Sequence, residues 1–189
     1  MWQIARYLGF SGSYPAARDL SQLIADAYTE DDAYGPKHPD TLAARNSFAD
    51  WTGDAGDAAG ARDQCAALLP VAERVLGAEH PDTLAVRGSL AGWTGAAGDA
   101  AGARDQLAEL LPIRARVLGP EHPATLRTRG SLANWTGEAG DAAGARDQYA
   151  ALLPITERVL GPEHPDTQIV RSSLATWTRE AGDNDAGVN

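Results

Sequence analysis

The sequence predicts an all-α solenoid built from about four and a half antiparallel helix pairs. Three observations predict it. First, His-Pro-Asp-Thr stands at His38–Thr41, His80–Thr83 and His164–Thr167, and His-Pro-Ala-Thr at His122–Thr125, so the four histidines are each 42 residues apart. Second, Trp51, Trp93, Trp135 and Trp177 keep that interval, as do Arg62, Arg104 and Arg146, and Pro70, Pro112 and Pro154. Third, the block Gly92–Ala133 matches Asn134–Ala175 at 31 of 42 positions. A fixed period of this length marks an array in which each unit buries its apolar face on its neighbours.

The repeats fall roughly at 1–37, 38–79, 80–121 and 122–163, followed by a terminal helix over 164–181 and a polar tail over 182–189. Residues 1–181 read as a single array. The first unit differs from the others. Tyr7 aligns with the tryptophan position, so its first helix is cut short at the start, and two extra residues precede His38. The N-terminal edge is therefore uncapped, which reads as the C-terminal part of a longer protein. In the unit from Pro81 to Gly119, Pro81 suits the first turn of a helix, where its missing N–H costs nothing. Asp82 sets a negative charge at the positive end of the helix dipole. Leu84, Leu90, Ala91 and Trp93 follow as an apolar stripe at roughly helical spacing. Thr94–Asp99 (TGAAGD) carries the glycines that end one helix and open the next turn. A second helix starts at Ala100, with Ala103, Leu107, Leu110 and Leu111 on one face, and Val117–His122 (VLGPEH) closes the unit. Nothing alternates with period two, so no strand is expected. Pro112 and its equivalents fall inside the second helix, where proline costs about 3 kcal/mol. A kink or break is expected there, followed by a short turn carrying Arg116 and Leu118. Asp26 takes that place in the first unit, whose second helix should run through. The terminal helix, about Asp166–Ala181, would act as a solvating cap with Arg179 and Glu180.

Composition excludes several functions. The hydrophobic share of 43% is rich in alanine, which points to close helix packing rather than a large apolar interior. A net charge of −10 removes the basic face that nucleic acid or an anionic membrane requires. One cysteine, Cys65, excludes an internal disulfide and fits a reducing cytoplasm. No apolar run approaches the length of a membrane span, and MWQIARYLGF lacks the pattern of a signal peptide.

Leu90, Ala91, Gly98, Ala103 and Leu107, with VLGPEHP before the next unit, resemble the tetratricopeptide repeat in its long variety, as in kinesin light chains. The resemblance runs from about Ile4 to Ala181. It implies a right-handed superhelix with a concave groove that holds peptides, and no catalysis. Two positions depart from the family pattern. Its aromatic near the end of the first helix falls on Thr94, with the bulk one residue earlier on Trp93. Its early apolar position falls on Arg45, Arg87, Arg129 and Arg171. TGEAGDAAGARDQYAALLP also resembles arrays of high-GC actinobacteria, where such repeats often follow a nucleotide-binding switch domain.

The candidate chemistry reduces to few residues. The histidines pair with nearby acids, as a metal site or general base would. Stacked helices lie roughly 8–10 Å apart, however, and a metal needs its ligands at about 2 Å. HPDT therefore reads as a spacer and helix starter. The glycine-rich TGEAGDAAGARD lacks the Gly-Lys-Ser/Thr of a phosphate loop and reads as a tight turn. Cys65, equivalent to Leu107 and Tyr149, reads as a small packed residue. The tryptophans lie on the apolar stripe and read as core. No catalytic residue, metal ligand or cofactor is expected. Two readings stand for Arg45, Arg87, Arg129 and Arg171: a cationic ladder that clamps an acidic peptide, or pairing with acids such as Asp63 and Asp105. Four series vary between units and step by three or four along the first helix: Ala43/Ala85/Arg127/Ile169, Asn46/Gly88/Gly130/Ser172, Asp50/Gly92/Asn134/Thr176 and Asp54/Ala96/Glu138/Glu180. The stripe is either the groove or an ordinary solvated face. Function then reads as a protein-interaction module binding a peptide or partner domain, with Arg127, Asn134, Glu138 and Ile169 as contacts. Two other readings are a sensor arm packing on an upstream domain of the same polypeptide, and homotypic stacking into oligomers.

Overall fold

The computed structural model describes residues 14–30 and 35–186. These residues form helices joined by short turns, with no strand among them. The helices are α1 (Tyr14–Glu30), α2 (Pro39–Asp54), α3 (Ala58–Leu76), α4 (Pro81–Ala96), α5 (Ala100–Val117), α6 (Pro123–Glu138), α7 (Ala142–Val159) and α8 (Pro165–Ala186). The incomplete helix expected around Ile4 and Tyr7 lies outside the described residues. So does the last part of the tail, although α8 runs past Ala181 to Ala186.

The chain divides into two compact units, Met1–Ala97 and Gly98–Asn189. In the first, α1 packs on α2, α2 on α3 and α3 on α4, with a further contact between α2 and α4. In the second, the order is α5 on α6, α6 on α7 and α7 on α8, with α6 also touching α8. Turns this short force consecutive helices to be antiparallel neighbours. Leu42, Leu68, Ala72 and Val86 form the core among α2, α3 and α4. In the second unit the core holds Leu126, Ala133, Ala145, Tyr149, Leu152 and Trp177. Ala49, Ala91, Ala133, Ala61, Ala103 and Ala145 are all fully buried at 0% exposure, so the alanine-rich composition is spent on close helix contacts.

The start of each first helix explains the repeated His-Pro. His38, His80 and His122 sit at the N-cap with extended backbone, and Nδ1 of each accepts the N–H two residues on at 3.2 Å. His164 does the same for Asp166 at 3.1 Å. Proline follows at the first helical position. The imidazole thus satisfies one of the donors that a helix start leaves open. His80→Ala is expected to lower stability by about 1 kcal/mol, and His80→Asn to retain most of it. Urea midpoints would check this, and equal midpoints for the alanine variant and the parent would refute the cap. The second helices start differently. Asp57, Asp99 and Asp141 each accept a backbone N–H at 2.8 Å, from Gly60, Gly102 and Gly144. Just before them, Gly98 holds φ at +104°, a backbone setting that side chains disfavour.

Of the kink or break expected at proline, the break does not occur. α3, α5 and α7 continue through Pro70, Pro112 and Pro154 to Leu76, Val117 and Val159. Each proline is exposed, as are Ala66, Ala108 and Ala150, whose carbonyls lose their helical partner. On an exposed face such a carbonyl can turn to solvent, so the helix need not end. α1, with Asp26 at that place, also runs through.

Candidate functional site

The variable stripe lies on the first helices of the units. In the first unit it is partly covered. Trp93 of α4 lays its ring against Gly53 of α2, where a β-carbon would meet the ring at 2.4 Å. Its indole N–H donates to Asp50 Oδ1 at 2.9 Å. Asn46 Nδ2 donates to Asp50 Oδ2 and to Ser89 Oγ, both at 3.3 Å. The same ring-on-glycine joint recurs in the second unit, with Trp177 of α8 on Gly137 of α6. Trp177 is buried as expected of core, whereas Trp51, Trp93 and Trp135 are half-buried. At the two joints the ring spans from one first helix to another.

Burial holds the Asp50 carboxyl above its ordinary value, and the bonds from Trp93 and Ser89 pull the other way. The folded chain therefore binds this proton more tightly than the unfolded chain. Asp50 then favours the fold at low pH and costs stability as pH rises through its raised value. Asp50→Asn keeps an acceptor for Trp93; Asn46 Oδ1 is buried without a partner, and once the Asn46 amide turns over, the new amide can donate to it. The variant is expected to gain on the order of 1 kcal/mol at neutral pH, with the gain vanishing towards the ordinary value of 3.8. Urea midpoints at pH 4 and pH 7 would check it, and a gain that did not grow with pH would refute the assignment. Cys65 lies fully buried below, its thiol pushed up to about 12 chiefly by burial and further by Asp50. Such a thiol is not a nucleophile at neutral pH.

A cleft of about 140 Å³ opens on the same face, between α2, α3 and α4. Ala43, Asn46 and Ala85 of the stripe line it, with Leu76 and Val86 below and Asp82 at the side.

In the second unit the two ends of the stripe are exposed. Arg127 is 61% exposed, with Nη1 3.6 Å from Asp166 Oδ2, and Ile169 on α8 is 59% exposed. Asn134 is half-buried and Glu138 exposed on α6. The arginine series divides. Arg87 donates to Glu73 at 2.6 Å and Arg171 to Glu157 at 2.7 Å, each tying a second helix to the first helix that follows. The acids suggested by the sequence are not the partners, since Asp63 and Asp105 bind their neighbours Arg62 and Arg104. Arg45 is half-buried on α2, and Arg129 is half-buried on α6 with no ion pair among the described residues. Arg114 Nη1, unremarked in the sequence, donates to Thr128 Oγ1 at 2.6 Å and reaches Ala124 O at 3.4 Å. Burial lowers its proton affinity, and Arg127 nearby lowers it further.

Among the described residues no three of the His, Cys, Asp and Glu side chains come together as a metal site would require. No described helix is long and apolar enough to cross a membrane. Helix pairs packed in sequence with a variable face along their first helices define the class: a helical-repeat protein. The chain belongs to the tetratricopeptide repeat family, whose profiles match residues 41–82 and 90–157. This is a non-catalytic family of interaction scaffolds.

Solved structures agree in fold. A kinesin-light-chain-like protein of Podosopora anserina, built of nearly identical TPR-like repeats, superposes with a TM-score of 0.75 at 24% identity, covering 98% of this chain and 86% of that one. A second crystal structure of those repeats gives a TM-score of 0.74, again at 24% identity, with 98% and 87% covered. BtubC (BKLC) from P. vanneervenii gives 0.75 at 16% identity, with 95% and 70% covered. No curated protein matches the sequence.

Proposed function

We propose that the face carried by the first helices binds an extended peptide or a partner domain. Residues 1–181 act in this reading as one array in a reducing cytoplasm, which suits the buried, free Cys65. The observation that carries the reading is the exposure of Ile169 on α8 and of Arg127 on α6, two stripe residues on first helices that touch each other. An exposed apolar side chain and a cation with only a loose partner offer a segment both an anchor and a direction. Asn134 and Glu138 continue the same stripe along α6, with the series Arg45, Arg87, Arg129 and Arg171 behind it. The cleft between Ala43 and Ala85 supports the same face in the first unit.

The test is affinity. A partner retained from lysate of the source organism by the immobilised chain would be purified and titrated against the parent and against R127A/N134A/E138A/I169A. A loss of tenfold or more is expected, equivalent to about 1.4 kcal/mol. Unchanged affinity would move the contact elsewhere, to an upstream domain of the same polypeptide or to another copy of the chain.

A further inference from the structure

We propose that the cleft among α2, α3 and α4 seats one leucine-sized side chain of a protein partner, with an arginine or lysine next to it in that partner set on Asp82. The inference rests on the groove reading and deepens it, by naming what the first unit takes. The cleft lies wholly within one compact unit. Buried Leu42, Ala72 and Val86 line it, with Leu76, Ala43 and the more exposed Ala85. Its volume of about 140 Å³ is close to the roughly 150 Å³ that holds a benzene ring. Asn46 fixes one wall, since its amide donates both to Asp50 on its own helix and to Ser89 on α4. An apolar pocket already held open favours an aliphatic anchor, because little has to be ordered on binding.

Charge decides what accompanies that anchor. Asp82 is the one charged residue among those lining the cleft, and its side chain is 48% exposed. His80 Nδ1 lies 3.6 Å from the carboxylate, but the same nitrogen already accepts the Asp82 backbone N–H at 3.2 Å. It therefore brings no proton to the carboxylate, and no arginine or lysine pairs with Asp82 among the described residues. The stripe positions of α2 and α4 add Asp50 and Asp54 and no base. A cation is drawn to such a face and an anion repelled from it. The second unit holds the matching arrangement with residues of its own. Two 42-residue periods on, Ala43, Asp82 and Ala85 become Arg127, Asp166 and Ile169. There Arg127 Nη1 stands 3.6 Å from Asp166 Oδ2, and Ile169 follows on α8 one turn after that acid. The first unit has alanine at both places, so the cation and the aliphatic group are left to the partner.

The test titrates the full isotope-labelled chain with short Gly/Ser peptides that carry Leu-Arg, Leu-Glu or Ala-Arg, followed through the backbone amide shifts. The Leu-Arg peptide is expected to move the amides of Asp82, Ala85 and Val86, and to bind about tenfold tighter than either of the others. Asp82→Asn should erase most of the preference for Leu-Arg over Leu-Glu. A43R/A85I, which copies the second unit, should lose the Leu-Arg peptide at an unchanged melting temperature, so the loss is not unfolding; if it melts lower, Asp82→Asn alone decides. Equal affinity for Leu-Arg and Leu-Glu, equal affinity for Leu-Arg and Ala-Arg, or no shift at those amides would each overturn the proposal. So would a parent dimer that A43R/A85I splits in sedimentation, since the occupant would then be a second copy. The groove reading fails separately, when the purified partner ignores the quadruple substitution whatever the peptides do.

Discussion

Pro154→Ala is expected to stabilise the chain by about 2 kcal/mol, an unusual gain for a single change to a helix. Two effects oppose each other. Proline inside a helix costs about 3 kcal/mol relative to alanine, through the missing N–H and the clash with the preceding turn. It also restricts the unfolded chain, which favours the fold by about 1 kcal/mol or less. The first effect wins. Pro154 is exposed, so alanine in its place removes no core contact, and it restores the bond to the Ala150 carbonyl. Pro70 and Pro112 occupy the same setting in α3 and α5, and the three changes should add, being far apart in sequence and on separate helices. Urea denaturation checks it: a midpoint at or below that of the parent would mean that the helix has relaxed around the ring at no cost.

Gly137→Ala should do the reverse, with a loss of about 1–3 kcal/mol from overpacking. On helix propensity alone the same change would gain up to about 1 kcal/mol. Contact decides the sign. A β-carbon at Gly137 would meet the Trp177 ring at 2.4 Å, against a fully helical backbone that cannot retreat. The diagnostic is a double-mutant cycle with Trp177→Leu. With the large ring gone, the added methyl should become neutral or favourable, and the two changes should couple strongly. Additive effects would show that the ring does not rest on the glycine.

The repeat length, the helix pairs and their boundaries were legible because each has a local cause. Proline after histidine starts a helix, the Gly-Asp turns separate helices, and small residues such as Ala91 and Ala103 mark the buried face of each helix. The site was less legible because it depends on contacts between helices one repeat apart. Trp-Thr-Gly recurs at Trp51, Trp93 and Trp135, yet only the fold reveals that a tryptophan rests on the glycine of an earlier first helix. The arginines were visible as a series, but their partners Glu73 and Glu157 sit fourteen residues earlier, across a turn. Proline misled for a physical reason. Its cost depends on whether the orphaned carbonyl reaches water, and exposure is not written in the residue itself.

The joint between Trp177 and Gly137 repeats the one between Trp93 and Gly53. Each ring comes 40 residues after the glycine it covers, inside a single compact unit. The covering is set by chain length as much as by residue type. An insertion or deletion between the two residues that turns either helix by part of a turn would set the ring against a different side chain, so each unit should tolerate length changes only in its turns, where the helix faces keep their aim.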